Sequence, residues 1–241
     1  MKAENSAAAR KHRADSGAAP HRRRDRGALP RCLLYRHFSL MTSSPFDGPI
    51  AAAGGLPSKD LGQSIEKQAT NLPYRLEVSP LTDMIAALTE KDAPRLKQTY
   101  GSLFEVGACG PPIALRAELG REHGAKAKEE IVRFYDYFSY PLAENIAWSP
   151  DHLSVLLEFM HLLSFREAVA EDDTFTLSNQ LAQSDFAERH ILDWLPGTLK
   201  KVETMADDYY RTLFRTQDAF LAADHLWLRS SIGDRDPEAR E

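Results

Sequence analysis

The chain has 241 residues, 43% of them apolar and 27% charged. That is enough to bury a core in one domain, and it excludes a collagen, a mucin-like stalk or a wholly disordered chain. No run approaches the roughly 18 consecutive apolar residues of a membrane span, and two cysteines, Cys32 and Cys109, make neither a disulfide framework nor a zinc-finger spacing. The charge is uneven. Eight of the 30 Lys and Arg fall in residues 1–30, against three of the 35 acids, so the remainder carries a net −10. An acidic body argues against a general nucleic-acid binder and suits a partner that carries positive charge.

In chain order, residues 1–30 read as a disordered basic tail, of the kind a start codon called too early would produce. No apolar region follows Arg22-Arg23-Arg24 before Leu29, so the tail does not read as an export signal. A short helix over Arg31–Ser43 places Leu34, Tyr35, Phe38 and Met41 near one face. A Gly/Pro/Ala-rich loop follows over 48–57. Ser58 caps a helix to about Thr70, Ser79-Pro80 starts another, and Asp92 caps the next, with Leu96, Tyr100, Leu103 and Phe104 at helical spacing. Gly107 to Pro112 is a forced loop. Residues 125–139 hold Ile131, Phe134, Tyr135 and Phe138 at helical spacing. Ser149-Pro150-Asp151 is the strongest helix start, as cap, N1 proline and first-turn acid, and Leu153, Leu156, Leu157, Met160 and Leu163 follow inward. Helices over about Thr176–Trp194 and Thr198–Leu228 complete the chain, with Pro196 between them and residues 229–241 as a disordered C-terminal tail. No alternating strand and no repeat stands out. The predicted fold is all-α, a single domain over 31–228 of packed antiparallel and crossing helices.

The chain has no phosphate loop, dinucleotide fingerprint, nucleophile elbow or H-E-x-x-H. Glu158-Phe-Met-His161 is an E-x-x-H on a helix, but the second motif of a di-metal bundle is missing, since Glu188-Arg-His190 has the wrong spacing. Asp151-His152 could form an acid–base pair, with no nucleophile beside it. Two alternatives are therefore a helical metalloenzyme using Glu158 and His161, and a helical regulator whose basic tail grips DNA.

The run Trp148-Ser-Pro-Asp-His-Leu-Ser-Val-Leu-Leu-Glu-Phe-Met160 resembles the P-D-H-L-x-x-x-L-E-F-M segment of the TorD/DmsD/NarJ chaperones of molybdoenzymes. Tyr100-Gly-Ser-Leu-Phe104 with Pro111-Pro112, the segment Phe186 to Pro196, and the opening Arg31 to Pro45 are similar to further family segments in the same order. The pattern at 103–112, 133–138 and 156–163 resembles the branch serving type II enzymes of the dimethyl sulfoxide reductase family, such as ethylbenzene, dimethyl sulfide, chlorate and selenate oxidoreductases.

The resemblance implies a cytoplasmic chaperone without turnover. Its partner would be the catalytic subunit of a molybdoenzyme, bound through its twin-arginine signal peptide and held in its apo form. The client carries molybdopterin guanine dinucleotide, and the chaperone itself needs no cofactor or metal. No nucleic acid and no stable membrane insertion are implied. The chain would be a monomer or, through the 48–57 loop, a domain-swapped dimer. By position, the resemblance places leader binding at Tyr100, Leu103, Phe104, Pro112, Asp151, His152 and Glu158. Tyr100 and Phe104 would touch the leader's apolar stretch. Asp151 would hold its arginines with His152 beside it, and Glu158 would be a second acid. His190, Trp194 and Pro196 read as structural: Trp194 fills a core gap, and His190 satisfies a buried carbonyl.

Overall fold

The computed structural model describes residues 21–105, 107, 110–120, 124–142 and 149–233. Its elements are α1 (His21–Thr42), α2 (Gly48–Ala52), α3 (Lys59–Thr70), α4 (Ser79–Ala87), α5 (Ala93–Tyr100), α6 (Ala117–Gly120), α7 (Gly124–Tyr137), α8 (Leu153–Ala168), α9 (Asp173–Ala187), α10 (Leu195–Met205) and α11 (Asp208–Gly233). Two wide, π-type turns extend α5 and α9, over Gly101–Glu105 and Glu188–Leu192. Among the described residues there is no strand, and Arg116 and His152 form an isolated antiparallel bridge. The fold is all-α, as the periodicity predicts. α1 lies chiefly on α8, α8 on α9, and α9 on α11. Leu34 and Phe38 of α1, Leu156 and Met160 of α8, Phe186 of α9 and Leu213 and Phe220 of α11 are fully buried in the shared core.

Several boundaries differ from the sequence reading, each for a local reason. α1 begins at His21, ten residues before Arg31, so the segment read as the end of a basic tail is helical. Gly27 and Ala28 are buried there, and a Cβ at Gly27 would come within 3.2 Å of Pro73. Close packing overrides a composition that reads as loop. The rest of the predicted N-terminal tail, and 234–241 of the C-terminal one, lie outside the described residues. α11 continues to Gly233 rather than stopping at Leu228. The 48–57 loop contains the one-turn α2. Ser58 caps α3 as predicted, its hydroxyl accepting from the Leu61 N–H at 3.1 Å. Ser79 instead lies inside α4, bonded back to Glu77. The Asp92 side chain turns back onto the Thr89 N–H at 3.0 Å rather than capping α5. The predicted final helix is two helices. Ala206 is extended, and Asp207 accepts from the Tyr210 N–H at 3.1 Å, which restarts the chain as α11.

One polar cluster is sealed inside the bundle. Arg31 is fully buried and meets Asp224 through Nε and Nη2, Glu167 through Nη1 at 2.7 Å and Gln183 through Nη2 at 2.6 Å. Asp224 also accepts from the hydroxyls of Tyr35 at 2.6 Å and Tyr74 at 2.8 Å. Glu167 also accepts from Gln180 and Gln183. The guanidinium lies 4.5 Å from the Trp227 ring centroid. Burial disfavours the Arg31 charge, but the two carboxylates outweigh it and hold its pKa well above the usual value. The cluster ties α1, α8, α9, α11 and the Tyr74 segment together.

Candidate functional site

The residues assigned to the leader fall into two sets joined by the run 113–117. In the first, Tyr100 is 2% exposed and Phe104 6%. Their rings pack together at 5.1 Å, with Phe104 against Tyr210 and Phe214. The Tyr100 hydroxyl donates to the Thr42 carbonyl at 3.0 Å, and burial raises its pKa. In this structure these two side chains are core, and their assignment to a leader rests on the resemblance alone. The wide turn at 101–105 rotates Phe104 inward and leaves Leu103 half-buried. Pro112 is also half-buried, beside Ile113, whose N–H donates to the Leu103 carbonyl at 2.9 Å. The loop before it closes tightly. A Cβ at Gly107 would sit 2.0 Å from the Gly110 carbonyl oxygen, and Gly110 has φ +100°.

In the second set, α8 starts three residues later than Ser149-Pro150-Asp151 suggests. His152 is its N-cap, with Nδ1 accepting from the Ser154 N–H at 3.2 Å. Asp151 is fully buried. Its carboxylate accepts from the Arg116 Nε–H at 3.3 Å and from the Glu118 N–H at 2.9 Å. The Asp151 carbonyl accepts from the Ala117 N–H, and the Leu153 N–H donates to Leu115. Arg116 also reaches Glu118 at 2.9 Å. In this structure Arg116, an arginine of this chain, occupies the place beside Asp151 that the resemblance gives to a partner's arginine. His152 is driven down from its ordinary 6.5 to about 4, mainly by burial and against the pull of Asp151. It is a neutral cap at neutral pH.

Glu158 is exposed and accepts from the Tyr140 hydroxyl. His161 does not join it in a metal site. Its Nδ1 donates to the Cys32 carbonyl at 2.9 Å, with Cys32 Sγ at 3.1 Å. Among the described residues, no group of three or more His, Cys, Asp or Glu is placed to hold a metal ion. None of the described helices is long and apolar enough to cross a membrane. Trp194 is core, as predicted, and its indole N–H donates to the His190 carbonyl at 2.8 Å. The indole of Trp194 thus satisfies a buried carbonyl.

The structure also shows a surface that the sequence reading missed. An open groove of about 460 Å³ runs between α7 and α9, lined by Phe134, Tyr137, Phe138, Ser178, Ala182 and the Glu130, Arg133 and Arg189 side chains. Ile131 and Tyr135 take the buried side of α7. Phe134 and Phe138 are half-buried, and Tyr137 is 82% exposed. The available signal was a surplus: apolar residues at 131, 134, 135, 137 and 138 cover more of a helix than one core-facing stripe.

Comparison with known proteins places this architecture. A family model described as nitrate reductase delta subunit matches residues 67–200. A chlorate reductase assembly chaperone protein from Ideonella dechloratans is 33% identical over 155 residues, covering 61% of this chain and 75% of that protein. A selenate reductase assembly chaperone protein from Thauera selenatis is 30% identical over 152 residues, with the same coverage. The crystal structure of a candidate redox enzyme maturation protein from Archaeoglobus fulgidus aligns with a TM-score of 0.46 at 19% identity, covering 82% of this chain and 93% of that one, a likeness too loose to add to the argument. On the family match and these two relatives, the chain belongs to the nitrate reductase delta subunit family of reductase assembly chaperones.

Proposed function

We propose that this protein is the assembly chaperone of one molybdenum-dependent catalytic subunit, an oxidoreductase of the dimethyl sulfoxide reductase family. It binds the subunit's twin-arginine leader and apo form in the cytoplasm. It keeps the subunit competent to receive molybdopterin guanine dinucleotide and delays its export until the cofactor is in place. The supporting observation is the family match over 67–200 together with relatives named for the assembly of selenate and chlorate reductases. Chemically, a leader offers a positive pair followed by an apolar helix-forming stretch, and it needs an apolar groove near acids. An acidic body suits such a partner. Of the residues implied by resemblance, Leu103, Pro112, His152 and Glu158 are not fully buried.

The test is a pull-down with the tagged chain from its host under conditions where such a subunit is being made, read by mass spectrometry. The expected result is one large molybdoenzyme subunit that still carries its leader. Capture of no such subunit overturns the reading.

A further inference from the structure

We propose that residues 44–57 form a strap that opens as a unit, without unfolding of the bundle, and so gates an aromatic slot between α1, α5 and α11. The proposal stands apart from the chaperone reading and does not need it.

The strap runs from the end of α1 to the start of α3 and contains α2. It is bonded chiefly to itself. The Asp47 N–H donates to the Ser44 carbonyl at 3.4 Å, the Gly54 N–H to the Ala51 carbonyl at 3.0 Å and the Gly55 N–H to the Ile50 carbonyl at 2.8 Å. Among the described residues, one hydrogen bond ties 44–57 to the rest of the fold. It runs from the Ser44 hydroxyl to the Glu105 carboxylate at 2.6 Å, and it is exposed. Beside it Phe46 lies over Gly101, where an added Cβ would meet the ring at 3.5 Å, yet Phe46 is 51% exposed. At the far end the stem of Lys97 crosses Gly55, so that a Cβ there would sit 2.2 Å from Lys97 Cε. Both ends of the strap are thus latched to α5 and the wide turn that follows it.

What the strap covers is apolar and aromatic. Ile50 and Gly55 line a slot with Met41, Leu96, Tyr209 and Tyr210, and the last four are no more than 5% exposed. Behind Tyr210 lies Phe104, with ring centroids 5.4 Å apart, so the slot leads straight to the aromatic core. The seat is incomplete. A cavity of about 10 Å³, the space of one water molecule, remains in the slot. A void of this kind forfeits dispersion contacts along its lining. On the strap itself Pro45, Gly55 and Pro57 are buried, whereas Phe46, Asp47, Ala52, Ala53 and Gly54 are exposed. Few buried apolar contacts and exposed hydrogen bonds put a segment at the low end of local stability. Gly54 and Gly55 supply the pivot. Their φ values are +84° and +85°, in the left-handed region, and Gly54 has open space around it. Opening breaks one surface hydrogen bond and the packing of one lysine stem and one half-exposed phenylalanine, while the helices beneath keep their own bonds.

The first measurement is hydrogen–deuterium exchange of the full chain under native conditions, read at single amides by NMR. The amides of Asp47, Gly54 and Gly55 should exchange at least about a hundredfold faster than the buried amides of α8. Ser44→Ala removes the near latch and Lys97→Ala the far one. Each should speed exchange about threefold or more along the whole strap, including the end it does not touch, and leave α8 unchanged. The second measurement is thiol labelling in a Cys109→Ser background. Leu96→Cys, under the strap, should react at least about tenfold faster than the native buried Cys32. Adding Lys97→Ala should raise the first rate and not the second. Strap and α8 amides exchanging at one rate overturn the proposal, because only global unfolding would then open the slot. A latch variant that acts on its own end alone also overturns it, since the strap would be two independent loops. So does equal labelling of Leu96→Cys and Cys32.

Discussion

Arg31 and Arg116 both pair with a fully buried aspartate and a nearby glutamate, yet their surroundings give them different work. Arg31 is itself fully buried, and Asp224 opposite it takes two guanidinium nitrogens and two tyrosine hydroxyls. Arg116 is about a quarter exposed and reaches Asp151 through one nitrogen at 3.3 Å. The first arrangement locks four long helices, and the second pins a single extended run to the start of α8. The contrast teaches that an arginine–aspartate pair is worth what its desolvation makes it. Removing one partner from a dry cluster strands a charge, whereas water softens the same loss at an edge.

The contrast can be broken by mutation, and the largest effect belongs to the sealed cluster. Asp224→Ala should cost about 3–5 kcal/mol in urea unfolding, because Arg31 keeps only Glu167 as counter-charge and two buried hydroxyls lose their acceptor. Arg31→Met together with Asp224→Leu and Glu167→Gln, which leaves no buried charge unpaired, should cost less than Asp224→Ala alone. Equal losses would show that the cluster is not dry. At the other site, Asp151→Ala should cost about 1.5–3 kcal/mol, since the carboxylate accepts from a guanidinium and a backbone N–H. It should lower the melting temperature, and unaltered stability would show that Asp151 does not hold the start of α8 in place.

A smaller effect follows pH. The His152 pKa is about 4 in the fold against an ordinary 6.5, so between these values the unfolded chain binds a proton that the native chain does not. The stabilisation is present above about pH 6.5 and is lost as pH falls toward 4. His37, also driven to about 4 by burial, adds to the same window. His152→Asn keeps a capping side chain and should flatten the stability slope between pH 4 and 6.5 relative to wild type, by more than about 1 kcal/mol across the window. Identical slopes would mean that His152 is solvated in the native state. The smallest effect is expected from Arg116→Met, about 0–1 kcal/mol by urea unfolding, because this guanidinium is partly hydrated. A loss as large as that of Asp224→Ala would erase the distinction between the two arginines.

Much of the fold was legible because helical spacing survives at the level of single residues. Leu153, Leu156, Leu157, Met160 and Leu163 are all buried on α8, and α7 spans 124–137 against a predicted 125–139. Errors clustered where a polar residue had two local uses. Ser149-Pro150-Asp151 reads as a helix start, but the Asp151 side chain turns inward and His152 does the capping. Asp207 carried a usable signal, an aspartate before a second acid, and the long periodic run around it hid the break between α10 and α11. The candidate site was less legible than the fold. Spacing shows that Tyr100 and Phe104 share a face and does not show whether that face looks at solvent or at Tyr210 and Phe214. The wide turn that decides the matter has no signature in composition. The sealed cluster was invisible for a related reason: an arginine four residues before Tyr35 gives no hint of partners on the last helix.

That separation bears on synthesis. Arg31 and Asp224 stand 193 positions apart. At about 5–20 residues per second, roughly ten to forty seconds pass between the two leaving the catalytic centre of the ribosome. Through that interval the first helix holds a cation whose main counter-charge does not yet exist. The amino-terminal part of this protein is therefore completed by its own carboxyl-terminal helix, and a chain released early is left with an unmatched charge at its centre.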